Sequence, residues 1–312
     1  MNRASLLLAV ALLAVLAAVV PTAILLEQPY LLVLFGRMAI LATAAVGLNL
    51  LLGNGGLPAF GHAAFVGIGS YTVGVTAAEG WLTTGWLQFP LAASLAAGAA
   101  LAIGSISLRT RGVAFLMITL AFGQMLFYAA VALERYGGDD GMTLAQPTQF
   151  GTLQLTRGFG SYAIAVLALI VSTYVTWRLA RSPFGATLRG AAANERRMKA
   201  IGVNVFRYRL AAFGISGAIC GLAGALLANH TAFVSPATLA WSRSVELAVV
   251  VLLGGAGTVF GPLFGAAAFV LLEEVLSGAT EHWRIVFGPL LLLVVLAAPG
   301  GIASLLEPRR HD

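Results

Sequence analysis

The sequence predicts an all-α integral membrane protein, a polytopic helical bundle of about 8–10 transmembrane segments, on three observations. Of its 312 residues, 59% are apolar and 10% charged, and the mean hydropathy is +0.92, far from the balance a soluble domain keeps. The apolar residues fall into runs of span length separated by short charged loops. Glycine clusters interrupt the runs once in each half, as discontinuous helices do in transport proteins.

At roughly twenty apolar residues per span, the chain reads as one transmembrane domain, with spans at 4–26, 32–52, 60–78, 87–107, 113–134, 160–180 and 209–229. The first run follows Met1-Asn-Arg3 and has small residues near Pro21-Thr22-Ala23, the features of a secretory signal. It is longer than a signal core and more apolar segments follow, so a span anchored inside by Arg3 is the expectation. Loop charges set the orientation: Arg109 and Arg111 fall inside, and Glu27, Glu79 and the stretch Glu134 to Asp140 fall outside. Trp81, Trp86 and Trp283 then sit at the outer interface, where amphipathic rings are favoured.

Residues 245–276 are too long for one ordinary span and are broken at Gly254-Gly255-Ala256-Gly257 and at Gly261-Pro262. A single crossing, followed by a last span at 285–305, would leave Arg309 and Arg310 outside. The charge rule therefore favours a split, as two short crossings or as a re-entrant pair. The first half carries a comparable break around Gly53, Gly55, Gly56 and Gly61. Phe60-Gly61 with Phe65 and Phe264-Gly265 with Phe269 share a spacing, as two related halves would.

Residues 181–208 are the most informative segment. From Arg178 to Arg209 there are eight basic residues against one acid, Glu195, and a short basic loop between spans is held on the cytoplasmic side. Leu188, Ala191, Ala192, Glu195 and Met198 recur at helical spacing, predicting a surface helix from about Thr187 to Ala200. Arg189, Asn194, Glu195, Arg196, Arg197 and Lys199 are its candidate docking residues for a cytoplasmic partner. Arginines that bind anionic lipid headgroups and fix topology are the competing explanation.

Within the spans, Asn49, Asn54, His62 and Tyr71 around the first break and Glu246 at the start of the second are candidate residues of a substrate path. Polar groups at membrane depth are costly and face the bundle interior or water. The structural alternatives are a helix–helix hydrogen bond for Asn49, a helix cap for His62 and an interfacial position beside Arg243 for Glu246.

The net charge of +6 is accounted for by inter-helix loops and the Arg309-Arg310 tail, so no nucleic-acid partner is expected. Cys220 is the single cysteine, and His62, His230, His282 and His311 are scattered, so no disulfide within the chain, metal site or metalloprotease motif is expected. Lys199, the only lysine, lies outside any glycine-rich phosphate loop, so any ATP chemistry belongs to another chain.

Gly47-Leu-Asn-Leu-Leu-Leu-Gly53 and Gly61-His-Ala-Ala-Phe-Val-Gly-Ile-Gly-Ser-Tyr71 are followed by Ser182-Pro-Phe-Gly185, Asn194-Glu195 and Ala200-Ile-Gly-Val-Asn204. Ala212-Phe213, Gly221-Leu-Ala-Gly-Ala225, Ser235-Pro236, Gly254 to Pro262 and Pro299-Gly-Gly-Ile302 complete the series. In this order and spacing, over about residues 40–305, the chain resembles the permease subunits of branched-chain amino acid ABC importers, of the LivM type. It departs at Ala186 and Gly190–Ala193, where the family carries further charges. The resemblance implies a permease without enzymatic activity or cofactor of its own in a prokaryotic cytoplasmic membrane, both termini cytoplasmic. Its implied partners are a second related permease chain, forming a heterodimer, two cytoplasmic ATPases that use ATP and Mg and dock on residues 181–208, and an extracytoplasmic binding protein. A urea or short-chain amide importer and a self-contained secondary transporter or channel are the alternatives.

Overall fold

The computed structural model describes residues 29–144, 146–151, 153–155 and 158–279, with 282, 285, 287–289 and 300–302. The predicted span at 4–26, most of that at 285–305, Glu27, Trp283 and the Arg309-Arg310 tail lie outside the described residues.

Six of the described helices are long and apolar enough to cross a membrane. The first, α1 (Pro29–Asn49), continues through a widened π turn at Leu50–Asn54. It is followed by α2 (His62–Ala78), α3 (Gly85–Ser107), α4 (Val113–Val131) and α5 (Phe159–Arg181). Two short helices, α6 (Pro183–Ala193) and α7 (Glu195–Ala200), precede α8 (Val205–Thr231), α9 (Trp241–Gly254) and α10 (Gly261–Ala279). At a rise of about 1.5 Å per residue, helices such as α3 and α5 exceed the roughly 30 Å apolar core of a bilayer.

The centre of the bundle is α8, which packs against α1, α2 and α3. Small residues make that possible. Gly217 and Gly221 lie against Ala100, Ala96 and Ala92 of α3, and Gly224 lies against the Val66 carbonyl of α2, the close approach that small residues at four-residue spacing allow. The Gly217/Gly221 spacing thus serves packing within this chain. Helix α4 is peripheral and turns Met117, Met125 and Tyr128 outward.

Residues 245–276 lie mostly in α9 and α10, which fold back on one another through a turn at 255–260. Gly254 meets the Gly261 carbonyl and Gly265 meets the Val250 carbonyl, so the second small-residue spacing also closes an internal contact. The two halves do not repeat this arrangement. Around the first break α1 and α2 both pack on α8, and it is Phe260-Gly261, not Phe264-Gly265, that stands at the start of its helix, as Phe60-Gly61 stands just before α2. The sequence rhyme is therefore offset by one helical turn from the structural one.

The bundle has two distinct ends. At one, Arg111 meets Glu195 and Gly56 meets Ala192, which brings together the α3–α4 loop, the first break and the basic segment. At the other, Arg135 and Tyr136 meet Glu79. There β1 (Met142–Thr143) pairs antiparallel with β4 (Phe233–Val234), and β2 (Gln149–Phe150) pairs with β3 (Leu153–Gln154). Trp81 and Trp86 are exposed at this strand end.

Candidate functional site

At the basic end, the predicted single helix from Thr187 to Ala200 is two helices. Ser182 in extended conformation and Pro183 at the first helical position start α6, where the missing proline N–H costs nothing. Asn194 breaks it by adopting φ −156° and ψ 96°, and its side chain caps α7 by accepting from the Arg197 N–H at 3.0 Å. Leu188 and Ala191 are buried, seating α6 on the bundle.

Glu195 is the hub of this end. It pairs with Arg209 of α8 and Arg111 before α4, each at 2.9 Å, and with Lys199 at 2.7 Å. Partial burial favours its neutral form, but the Lys199 and Arg209 hydrogen bonds, with the charges of Arg209 and Arg111, outweigh this and hold the carboxyl below its usual range. Arg189 donates to the Ala180 carbonyl at 2.7 Å. Of the six candidate docking residues, Arg189, Asn194, Arg196, Arg197 and Lys199 are exposed, whereas Glu195 faces its own chain.

The two glycine breaks meet. Asn49 Oδ1 accepts from the Gly257 N–H at 2.8 Å and Asn49 Nδ2 donates to the Thr258 carbonyl at 2.9 Å. One turn on, Gly53 lies so close to the Gly257 backbone that no side chain fits between them. Gly257 itself has φ +82°, a conformation open to glycine at little cost. Asn54 is buried in the π turn, and Gly55 and Gly56 lead out of it towards Ala192. Gly61 caps the start of α2 against the Thr119 carbonyl of α4, and Gly254, Gly255 and Gly261 form the tight turn between α9 and α10. Close backbone contact between Gly53 and Gly257, with the Asn49 hydrogen bonds, joins the breaks.

A second polar layer adjoins the first. The Ser216 hydroxyl donates to the Gly47 carbonyl at 2.7 Å and lies 2.9 Å from His62 Nε2; with its own proton committed, the serine accepts from the imidazole N–H. His62 is fully buried and bonds across helices to Ser216 of α8. Tyr71 lies nine residues further along α2, buried and away from both breaks.

Beyond these layers, between α1, α2, α8 and α9, is a cavity of about 310 Å³. Its wall is mostly apolar, with Ile40, Leu41, Val66, Leu227 and Leu247, and Arg37, His230, Arg243 and Glu246 add polar groups. Phe233, Ser235 and Thr238 place its mouth towards the strand end. Arg37 is held by Glu273 of α10 at 2.7 and 3.0 Å, and Arg243 by Glu246 at 2.6 Å. Of the five residues expected along a path, Glu246 lines this cavity; Asn49 and His62 make the cross-helix hydrogen bonds of the two polar layers.

The model of the family described as branched-chain amino acid transport system / permease component matches residues 30–295. The chain belongs to this permease family. It is 29% identical over 290 residues to the high-affinity branched-chain amino acid transport system permease protein LivM of Salmonella typhimurium, covering 85% of this chain and 68% of the relative. The figures are the same for LivM of Escherichia coli K12. The autoinducer 2 import system permease protein LsrC of Escherichia coli O9:H4 is 27% identical over 199 residues, 61% of this chain and 57% of the relative. No solved structure matches the chain at a significant level.

For a permease, the residues that sequence reasoning passed over are Arg37, His230 and Glu273. Arg37 stands inside the predicted span 32–52 and Glu273 inside the run 245–276. An ionisable residue within a span was the available signal. What it could not disclose is that the two bind each other across 236 positions of sequence.

Proposed function

We propose that this permease is the translocation subunit of an ABC importer that carries leucine, isoleucine and valine across a prokaryotic cytoplasmic membrane. Its basic end faces the cytoplasm, with both termini on that side, by the positive-inside rule. It works with a second related permease chain, two ATPases that bind ATP and Mg, and an extracytoplasmic binding protein; the chain itself is not an enzyme. The LivM relatives carry branched-chain amino acid transport in their names, which supports the substrate.

The observation that carries the reading is a continuous line of contact from the basic segment to the meeting point of the two glycine breaks. Ala192 of α6 touches Gly56, the π turn follows back to Gly53, and Gly53 and Asn49 hold the Gly257 turn. An ATPase that binds Arg196, Arg197 and Lys199 of α7 and shifts it together with the adjoining α6 would pull on that turn. The contact between the breaks is then the inner gate, closed while the cavity faces outward. Irregular backbone at membrane depth has the protein partners it requires in this state.

The experiment is uptake into proteoliposomes holding the permease pair, the ATPases and the binding protein. ATP-dependent accumulation of leucine, isoleucine and valine is the expected result. Accumulation that persists without the ATPases would make this a self-contained transporter, and accumulation of urea or an amide in place of leucine would overturn the substrate. Labelling of a cysteine at position 193 by an impermeant reagent on intact cells, in a Cys220→Ala background, would overturn the orientation.

A further inference from the structure

We infer that the cavity between α1, α2, α8 and α9 binds the zwitterionic end of an amino acid, Arg37 taking the carboxylate, Glu246 the ammonium and the apolar wall the side chain. The inference rests on the importer reading for its substrate and adds to it the site and the charge recognition.

Arg37 reaches both oxygens of Glu273 through Nη2 alone. Among the described residues, its Nε and Nη1 donate no such bond, so Glu273 orients the guanidinium and leaves donors over. Glu246 accepts from Arg243 through Oε2, and among the described residues its Oε1 has no hydrogen-bond partner. Glu246 is 17% exposed while Arg243 is 54% exposed, so the carboxylate is the member of that pair turned inward. Each charge is balanced by its partner: Arg37, Arg243 and Glu246 line the apolar chamber, and Glu273 pairs with Arg37 from α10.

Such a site selects by charge pattern. A lone carboxylate or a lone ammonium engages one pair and leaves the other unanswered, whereas a zwitterion makes charge-assisted hydrogen bonds to both. A neutral amide makes none of the doubly charged contacts. At about 310 Å³ the chamber lies at the small end of ligand sites, as a single amino acid requires. Ile40, Leu41, Val66, Leu227 and Leu247 supply the apolar surface that a branched aliphatic side chain buries.

The test is equilibrium binding of radiolabelled leucine to the assembled permease–ATPase complex in nanodiscs, competed by 4-methylpentanoate, which lacks the ammonium, and leucinamide, which lacks the carboxylate. In the unmodified complex both competitors should be weaker than leucine by about tenfold or more, the loss of one charged hydrogen bond. Glu246→Gln should weaken leucine by about the same factor and make leucine and 4-methylpentanoate compete equally, a change that a merely structural ion pair would not produce. Arg37→Gln combined with Glu273→Gln, which strands no carboxylate, should erase the preference for leucine over its amine analogues. Leucine affinity within roughly twofold of the unmodified complex in both variants, or competitors equal to leucine in the unmodified complex, would overturn the site. If another amino acid binds with the same charge dependence and leucine does not, the site stands and the branched-chain reading falls. Binding of uncharged solutes alone overturns both.

Discussion

Asn49 holds Gly257 and its neighbour from both ends of one amide: Oδ1 takes the Gly257 N–H at 2.8 Å and Nδ2 reaches the Thr258 carbonyl at 2.9 Å. A side chain from α1 thereby completes the hydrogen bonding of a turn between α9 and α10. Asn49→Ala strands a backbone donor and an acceptor, at about 1–3 kcal/mol each where water cannot replace the amide. The expected outcome is an inner gate that opens without substrate, read as raised basal ATPase activity and leucine leak from loaded proteoliposomes. Gly53→Ala pushes a methyl group into the Gly257 backbone and should leak in the same way, with assembly retained.

Gly56 lies between the Gly53–Gly257 contact and the basic segment, against Ala192. Its φ is +60° and an added Cβ would stand 3.0 Å from the Ala192 Cβ, so Gly56→Leu strains the backbone and displaces α6. Stimulated ATPase activity and uptake should fall while leucine binding to the complex stays within about twofold, since the cavity is lined by other residues.

Glu195 predicts a pH dependence. Its folded-state pKa is depressed, so its contribution to stability is present above the unfolded value near 4.5 and is lost as pH falls through the lower folded value. The Arg209 partner is 13% exposed, whereas Arg111 and Lys199 are 66% and 55% exposed. The Arg209 pair therefore carries most of the effect and the exposed pairs little. Glu195→Gln should destabilise the seating of α7 by about 1–3 kcal/mol. Faster hydrogen exchange over residues 194–202, insensitive to mild acid, is the signature to measure.

Gly224 tests the central packing. Gly224→Val drives a branched side chain into the Val66 carbonyl where α8 crosses α2 and should lower expression and melting temperature, at about 1–3 kcal/mol for overpacking. Gly98 on α3 has no atom within 4 Å of an added Cβ. Gly98→Ala should be neutral or stabilising by up to about 1 kcal/mol.

Composition, apolar run length and glycine punctuation determined by themselves that this is a helical membrane protein with a basic segment between α5 and α8 and an interrupted run before its C-terminal part. These are local properties: about twenty apolar residues suit a bilayer whatever their neighbours, and Gly56 or Gly257 marks a turn through its own backbone freedom. Tertiary structure decided the pairings. Asn49 looked like a possible path residue and is a clamp on Gly257; Glu195 looked like a docking residue and is tied to Arg209 and Arg111; Arg37 drew no notice and sits in the cavity bound to Glu273. Each of these roles depends on a partner 14 to 236 residues away, and a polar side chain's own chemistry fixes what it bonds while the packing of glycine-faced helices fixes which partner is there to be bonded.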